Sequence, residues 1–299
     1  MGIMSLLDDP RTFLISLLLS LPGILLALCG HEAAHAWVAN RCGDPTAKLM
    51  GRVTLDPRRH IDLVGFICML FVGFGWARPV PVNPNNYRKG RRDDLKVSLA
   101  GITANLLMCL VGFLLLMGMF LFALGRVPRV DIATYLSSDE GVMLLEYGED
   151  AYFVNRAADI TVWMDDLFAV SSGIWSTAGR DGAFFDIVDL LINPVLGEFW
   201  GYAYQIVVRF MTLNLALAVF NLIPIPPLDG YHVLNDLLLK RPLFAPEKAA
   251  RIGFGVMIAL ILLGNVSEKL DFISIGLRFV EEHAFDFLTG LTYRAYALI

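Results

Sequence analysis

The chain has 299 residues, of which 56% are hydrophobic and 18% charged, with a formal net charge of −5 and a mean hydropathy of +0.60. Soluble domains carry about 25% charged residues, so this composition argues against a soluble fold and for a polytopic membrane protein. No nucleic-acid partner is expected, because the basic residues fall in short loops beside apolar stretches, where membrane topology accounts for them.

Residues 12–31 contain no Asp, Glu, Lys or Arg over twenty positions, which is enough to cross a bilayer. The pattern predicts a helix over about 11–41, kinked at Pro22, with His31-Glu32-Ala33-Ala34-His35 near its C-terminal end. It does not read as a cleavable signal, since Asp8 and Asp9 precede it and no small-residue cleavage site follows. Residues 46–58 mix Gly, Thr and Val with charges and read as short strands. Residues 63–77 are apolar but only fifteen long, which suits a re-entrant or interfacial segment shielded by protein. A proline-rich, basic stretch, ARPVPVNPNNYRKGRR, follows.

Residues 97–125 form the clearest span, twenty-nine positions without charge, interrupted by the polar Asn105. Residues 126–200 carry thirteen acidic residues against four Arg and no Lys, and read as an acidic insert or lid with amphipathic surface segments. Another span covers about 202–228, with Arg209 near its start and the broken sequence NLIPIPPLDG at its end. A shorter, tilted span is expected over about 250–267, followed by an amphipathic tail. The expected fold is therefore mainly α. It is one membrane-embedded domain over 1–299, with a small β-sheet or re-entrant element at about 43–94.

Basic residues set orientation. The 41–96 loop holds eleven Lys or Arg, and Lys240, Arg241, Lys248 and Arg251 lie in another loop. Both loops are expected to be cytoplasmic and the 126–200 segment external, which puts the histidine motif near the cytoplasmic side. Cys29, Cys42, Cys68 and Cys109 show no CxxC spacing and read as small buried hydrophobes.

Positions i and i+4 share one helix face, so His31 and His35 present two imidazoles to a common point. Neutral imidazole is a good zinc ligand. Glu32, rotated about 100° around the axis, is placed to reach a metal-bound water as general base without being a ligand. Two His and one Glu near a bilayer are expensive unless they serve a function. A catalytic zinc takes three protein ligands, and the candidates for the third are His60, His232, His283 and the carboxylates. Asp229 stands out, because three prolines and a glycine flank it in a broken, non-helical segment. It also fits as a helix N-cap.

HEAAH (31–35), FNLIPIPPLDG (220–230), GWARPVPVNP (75–84) and SLAGITAN (98–105) together resemble the site-2 protease family of intramembrane metalloproteases. The resemblance covers about 25–110 and 205–240, without an evident PDZ or CBS module. It implies a three-helix catalytic core and one Zn²⁺ per chain held by His31, His35 and Asp229. It further implies Glu32-assisted attack of zinc-bound water on single-span transmembrane substrates. Asn221 and Asn105 are candidate donors to the oxyanion, with helix–helix hydrogen bonding as the plainer role for both. A helical substrate must unwind first, and the IPIPP run or the strands near 46–56 are candidates to pair with it. The family role does not extend to 126–200.

The remaining features read more plainly. His60 is a structural or interfacial histidine, His232 a candidate neighbour of the metal ligands, His283 a surface residue, and Asn265-Val-Ser267 an idle glycosylation pattern. The competing functions are another HExxH protease with Glu281 or Glu282 as third ligand, an inactive metal-binding scaffold, and a transporter. The oligomeric state is not legible.

Overall fold

The computed structural model describes residues 9–72, 75–124, 196–239 and 246–266, together with 276, 279 and 280. The expected 126–200 insert, apart from its last five residues, and the tail beyond 280 with Glu281, Glu282 and His283 lie outside the described residues.

Helix α1 spans Pro10–Cys42. Asp9 starts it by accepting hydrogen bonds from the N–H groups of Arg11 and Thr12 at 3.1 and 3.2 Å, with Pro10 in the first turn. It runs unbroken through Pro22 and stops at Gly43, whose φ of 111° lies in the left-handed region where glycine is favoured. Single helical turns α2 (Thr46–Leu49) and α3 (Pro57–His60) follow, then the ten-residue apolar helix α4 (Leu63–Val72). Next come a 3₁₀ turn at Pro84–Asn86 and the long helix α5 (Arg91–Leu124). Helix α6 (Glu198–Leu222) leads through Ile223–Leu228 into the short α7 (Asp229–Leu234), a π turn at Asn235–Leu239, and α8 (Pro246–Val266).

Helices α1, α5 and α6 are each long and apolar enough to cross a membrane. They pack pairwise into a three-helix core, with α7 lodged against α5 and α6. The seam is filled by Phe113, Leu116, Val208 and Met211, all essentially buried, while Leu18, Leu107 and Leu114 face outward. That outward apolar face is what lipid requires. Lipid tails are as apolar as leucine, so close packing rather than hydrophobic burial holds such helices together. Gly23 shows the principle: a Cβ there would press on the backbone of Phe210, so its absence brings α1 and α6 into contact.

The strands expected over 46–58 are absent among the described residues. Capping chemistry prevails over the local β preference. Asp44 accepts the Thr46 N–H at 3.1 Å, and Asp56 accepts the Arg58 N–H at 3.1 Å with Pro57 in the first turn, so each short piece closes into a helical turn. Only one antiparallel bridge, Ile61 to Ala77, remains among these residues. It joins the two ends of the α4 excursion. Ten helical residues cover about 15 Å, half a bilayer, so α4 is too short to cross.

Phe113→Ala is expected to destabilise the detergent-solubilised protein by about 2 kcal/mol. This lies below the usual soluble-core loss, because in lipid the packing term dominates. Reversible unfolding of wild type and variant in mixed micelles measures it.

Candidate metal centre

Helix α1 carries His31 and His35 one turn apart on its buried face. The outer nitrogen of each ring is engaged. His31 Nδ1–H donates to Asn105 Oδ1 at 2.7 Å, and His35 Nδ1–H donates to the Val97 carbonyl at 2.7 Å, both on α5. These two acceptors set the tautomers, because an amide or carbonyl oxygen has no proton to give. Both Nε2 atoms are then left with lone pairs, and they lie 3.0 Å apart. Asp229 Oδ2 completes the group at 3.3 Å from His31 Nε2 and 3.2 Å from His35 Nε2.

Three electron-pair donors thus face one another with no proton donor among them, and Asp229 Oδ2 is buried without a hydrogen-bond partner. Such a cluster is unfavourable by itself and becomes favourable around a cation. Two imidazoles and a carboxylate are the donor types that zinc accepts. Among the described residues this is the one group of three His, Cys, Asp or Glu side chains able to hold a metal.

Gly101 on α5 makes room for the pair. A Cβ at this position would collide with His31 Cε1 and His35 Nε2. The small-residue stretch SLAGITAN therefore has a local cause: α5 must lie against both rings, and its next polar residue, Asn105, must reach His31.

The two expectations for Asp229 separate cleanly. It is the first residue of α7, but the helix has no side-chain capping bond at this end. Its carboxylate turns to the histidines instead. Glu32 lies beside the cluster, with Oε2 accepting the Val80 N–H at 2.9 Å. Val80 belongs to the extended GWARPVPVNP segment, which two buried charged residues pin in place. Arg52 donates to the carbonyls of Arg78 and Pro79. Asp44 accepts from the Asn83 N–H at 2.6 Å and from Asn86 Nδ2 at 2.8 Å. Burial works against the charge of Asp44, but hydrogen bonds from Thr46, Asn83 and Asn86 outweigh it and hold the carboxyl below its usual range. Neither Arg52, Asp44 nor the Val80 amide stands out in sequence, because each acts through backbone contacts between segments distant along the chain.

Asn105 is fully buried, and both ends of its amide are hydrogen-bonded. Its Oδ1 accepts from His31, while its Nδ2 donates to Asn214 Oδ1 at 3.0 Å. Asn214 in turn donates to the Phe210 carbonyl at 2.8 Å. These bonds join α1, α5 and α6 through one amide. Asn221, near the end of α6, donates to the Leu217 carbonyl at 2.9 Å within its own helix. His60 is fully buried, with Nε2–H donating to the Thr54 carbonyl at 2.7 Å, as suits a structural histidine. His232 is exposed, its ring edge-on to that of Tyr231.

Three membrane-length helices around a cluster of two histidines and an aspartate, with a glutamate next to the first histidine, define a membrane metallopeptidase. Comparison with known proteins agrees. Peptidase family M50 matches residues 19–264. YwhC of Bacillus subtilis, provisionally named a zinc metalloprotease, is 32% identical over 239 residues, 80% of this chain and 78% of its own. Rip2 of Mycobacterium tuberculosis, named in the same way, is 39% identical over 95 residues, 30% of this chain and 36% of its own. No solved structure matches the chain. The chain belongs to peptidase family M50, the site-2 proteases.

Asn105→Leu keeps approximate volume but removes the acceptor for His31. Metal affinity is expected to fall about 10–100-fold, measured by chelator competition. Gly101→Val is expected to abolish metal retention through its clash with both rings, measured by metal analysis of the purified protein.

Proposed function

We propose that this chain is a zinc-dependent intramembrane endopeptidase, with His31, His35 and Asp229 as ligands of one zinc per chain and Glu32 as general base. The observation that carries the reading is the convergence of two Nε2 lone pairs and one carboxylate oxygen in a buried pocket, with both Nδ1–H groups already committed. The names given to YwhC and Rip2 support zinc as the ion. When bound, zinc would acidify water and polarise a peptide carbonyl.

The chain's own residues then divide the work. Val80 N–H holds Glu32 Oε2, which orients the carboxylate and leaves Oε1 to take a proton from the attacking water. The same carboxylate delivers that proton to the departing amine nitrogen. Asn221, eight residues before Asp229, and Asn105 are the side-chain candidates to donate to the oxyanion, each by exchanging the acceptor its amide now holds. Asn105 and Asn214 orient His31 across the bundle. The walls of α1, α5 and α6 exclude bulk water, which strengthens each of these electrostatic interactions.

The substrates in this reading are single-span membrane proteins. Their peptide bonds are hidden in a helix, so local unwinding precedes cleavage. The basic residues of 41–96 and 238–251 support a site near the cytoplasmic side, with the acidic 126–200 segment outside.

Glu32→Gln is expected to retain zinc at the wild-type level while cleavage of a single-span substrate falls at least about 100-fold. Asp229→Ala is expected to lose both zinc and activity. Retained cleavage in Glu32→Gln removes the role of base, and full zinc content in Asp229→Ala removes the ligand set. Zinc analysis and a detergent-based cleavage assay on the same preparations measure both.

A further inference from the structure

A second feature lies at the end of α1 and the start of α5, away from the polar atoms of the metal cluster. A cleft of about 380 Å³ opens there, bordered by Trp37, Arg41, Arg88, Lys89, Asp93 and Lys96. Its one acid is already satisfied: Asp93 accepts from Lys96 Nζ at 2.6 Å and from the Lys89 N–H at 2.9 Å. Among the described residues no ion pair joins Arg41, Arg88 or Lys89 to a carboxylate. Three exposed cations therefore stand around one cleft without a carboxylate partner, which makes its mouth positive and attractive to an anion.

The level of the cleft in the bilayer follows from the helices that form it. Lys96 is the last charged residue of α5, and the twenty-nine positions that follow it, 97–125, are uncharged. On α1, Trp37 and Arg41 lie just beyond the twenty uncharged positions that end at His31. Trp37 is half exposed, and the Arg41 guanidinium stacks on its ring at 4.7 Å. An exposed tryptophan beside long basic side chains is the arrangement found where lipid headgroups meet water. The walls of the cleft are mostly carbon, contributed by Val38, Cys42 and the stems of the basic residues. A small inorganic anion would use the charges and waste the walls. An amphiphile with a phosphate at its polar end would use both.

We propose that this cleft is a binding site for an anionic phospholipid of the adjoining leaflet, with the headgroup phosphate held by Arg41, Arg88 and Lys89 and the glycerol end against Trp37. The occupant braces the contact between α1 and α5. Val97, whose carbonyl holds His35, directly follows Lys96. The site therefore lies one residue along the chain from a contact of the metal cluster. The proposal requires only that the helices span a membrane, not that the chain cleaves peptides.

The test uses the full chain in neutral detergent, with phosphatidylglycerol or phosphatidylcholine titrated in. Lipid retention is read by native mass spectrometry and stability by the thermal midpoint. One phosphatidylglycerol is expected to be retained at least about fivefold over phosphatidylcholine, the effect of a single basic residue near an anionic headgroup, and to raise the midpoint. The triple variant Arg41→Gln, Arg88→Gln, Lys89→Gln should lose that preference and the upward shift, with an unchanged midpoint in phosphatidylcholine. If the triple variant does not fold, Arg41→Gln alone should lower retention about fivefold. Arg58→Gln with Arg59→Gln, on the α3 turn, should match wild type. Millimolar inorganic phosphate should not displace the lipid. The proposal is overturned by equal retention of the two lipids, by wild-type retention in the basic-cleft variants, by loss in the α3 control, or by displacement with phosphate.

Discussion

Two histidine nitrogens and one aspartate oxygen, each within about 3.3 Å of the others, meet in a space closed by three apolar helices. Every feature around this meeting serves to hold lone pairs together that would otherwise repel. Largely buried, such a group persists only if its geometry is imposed from outside and a cation relieves it. The imposition comes from α5. Asn105 and the Val97 carbonyl lock the two rings, Gly101 lets the helix approach, and the broken chain after α6 brings Asp229 in from the other side.

The polar groups inside the bundle form one connected chain. His31, Asn105, Asn214 and the Phe210 carbonyl link α1, α5 and α6 by successive hydrogen bonds. In a membrane the alternative to such a partner is an unsatisfied group in hydrocarbon. The same residues therefore secure the packing of the helices and the orientation of His31 in the cluster. The segment carrying Val80 is fixed by a different means. It lies over Glu32 because Arg52 and Asp44 grip its backbone from either side of α2, where helical turns stand in place of the expected sheet.

Much of this is legible in the order of residues along the chain. The i, i+4 histidines on one helix, the apolar lengths of α1, α5 and α6, and the proline-broken approach to Asp229 are local patterns, and local patterns are written consecutively in sequence. The 46–58 segment departs from its pattern for a reason of the same scale. Its β-type residues point to strands, whereas the Asp44 turn bond and the Asp56 cap decide the backbone. Residue type alone does not show what Asn105 touches, and the position of Asn214 on another helix gives its amide a partner there.

From sequence alone came the membrane class, the peptidase family, the histidine pair with its adjacent glutamate, and the aspartate far along the chain, because each depends on residue type and spacing within one segment. Tertiary structure decided which nitrogen of each histidine faces the cluster, which amide orients the first of them, which backbone N–H holds the glutamate, and which basic residues gather around one cleft. These are relations between α1, α5, α6 and the loops that connect them. A hydrogen bond between residues 74 positions apart, such as His31 to Asn105, leaves no periodic trace in the chain. It exists only once packing has brought the two helices to within the length of a side chain.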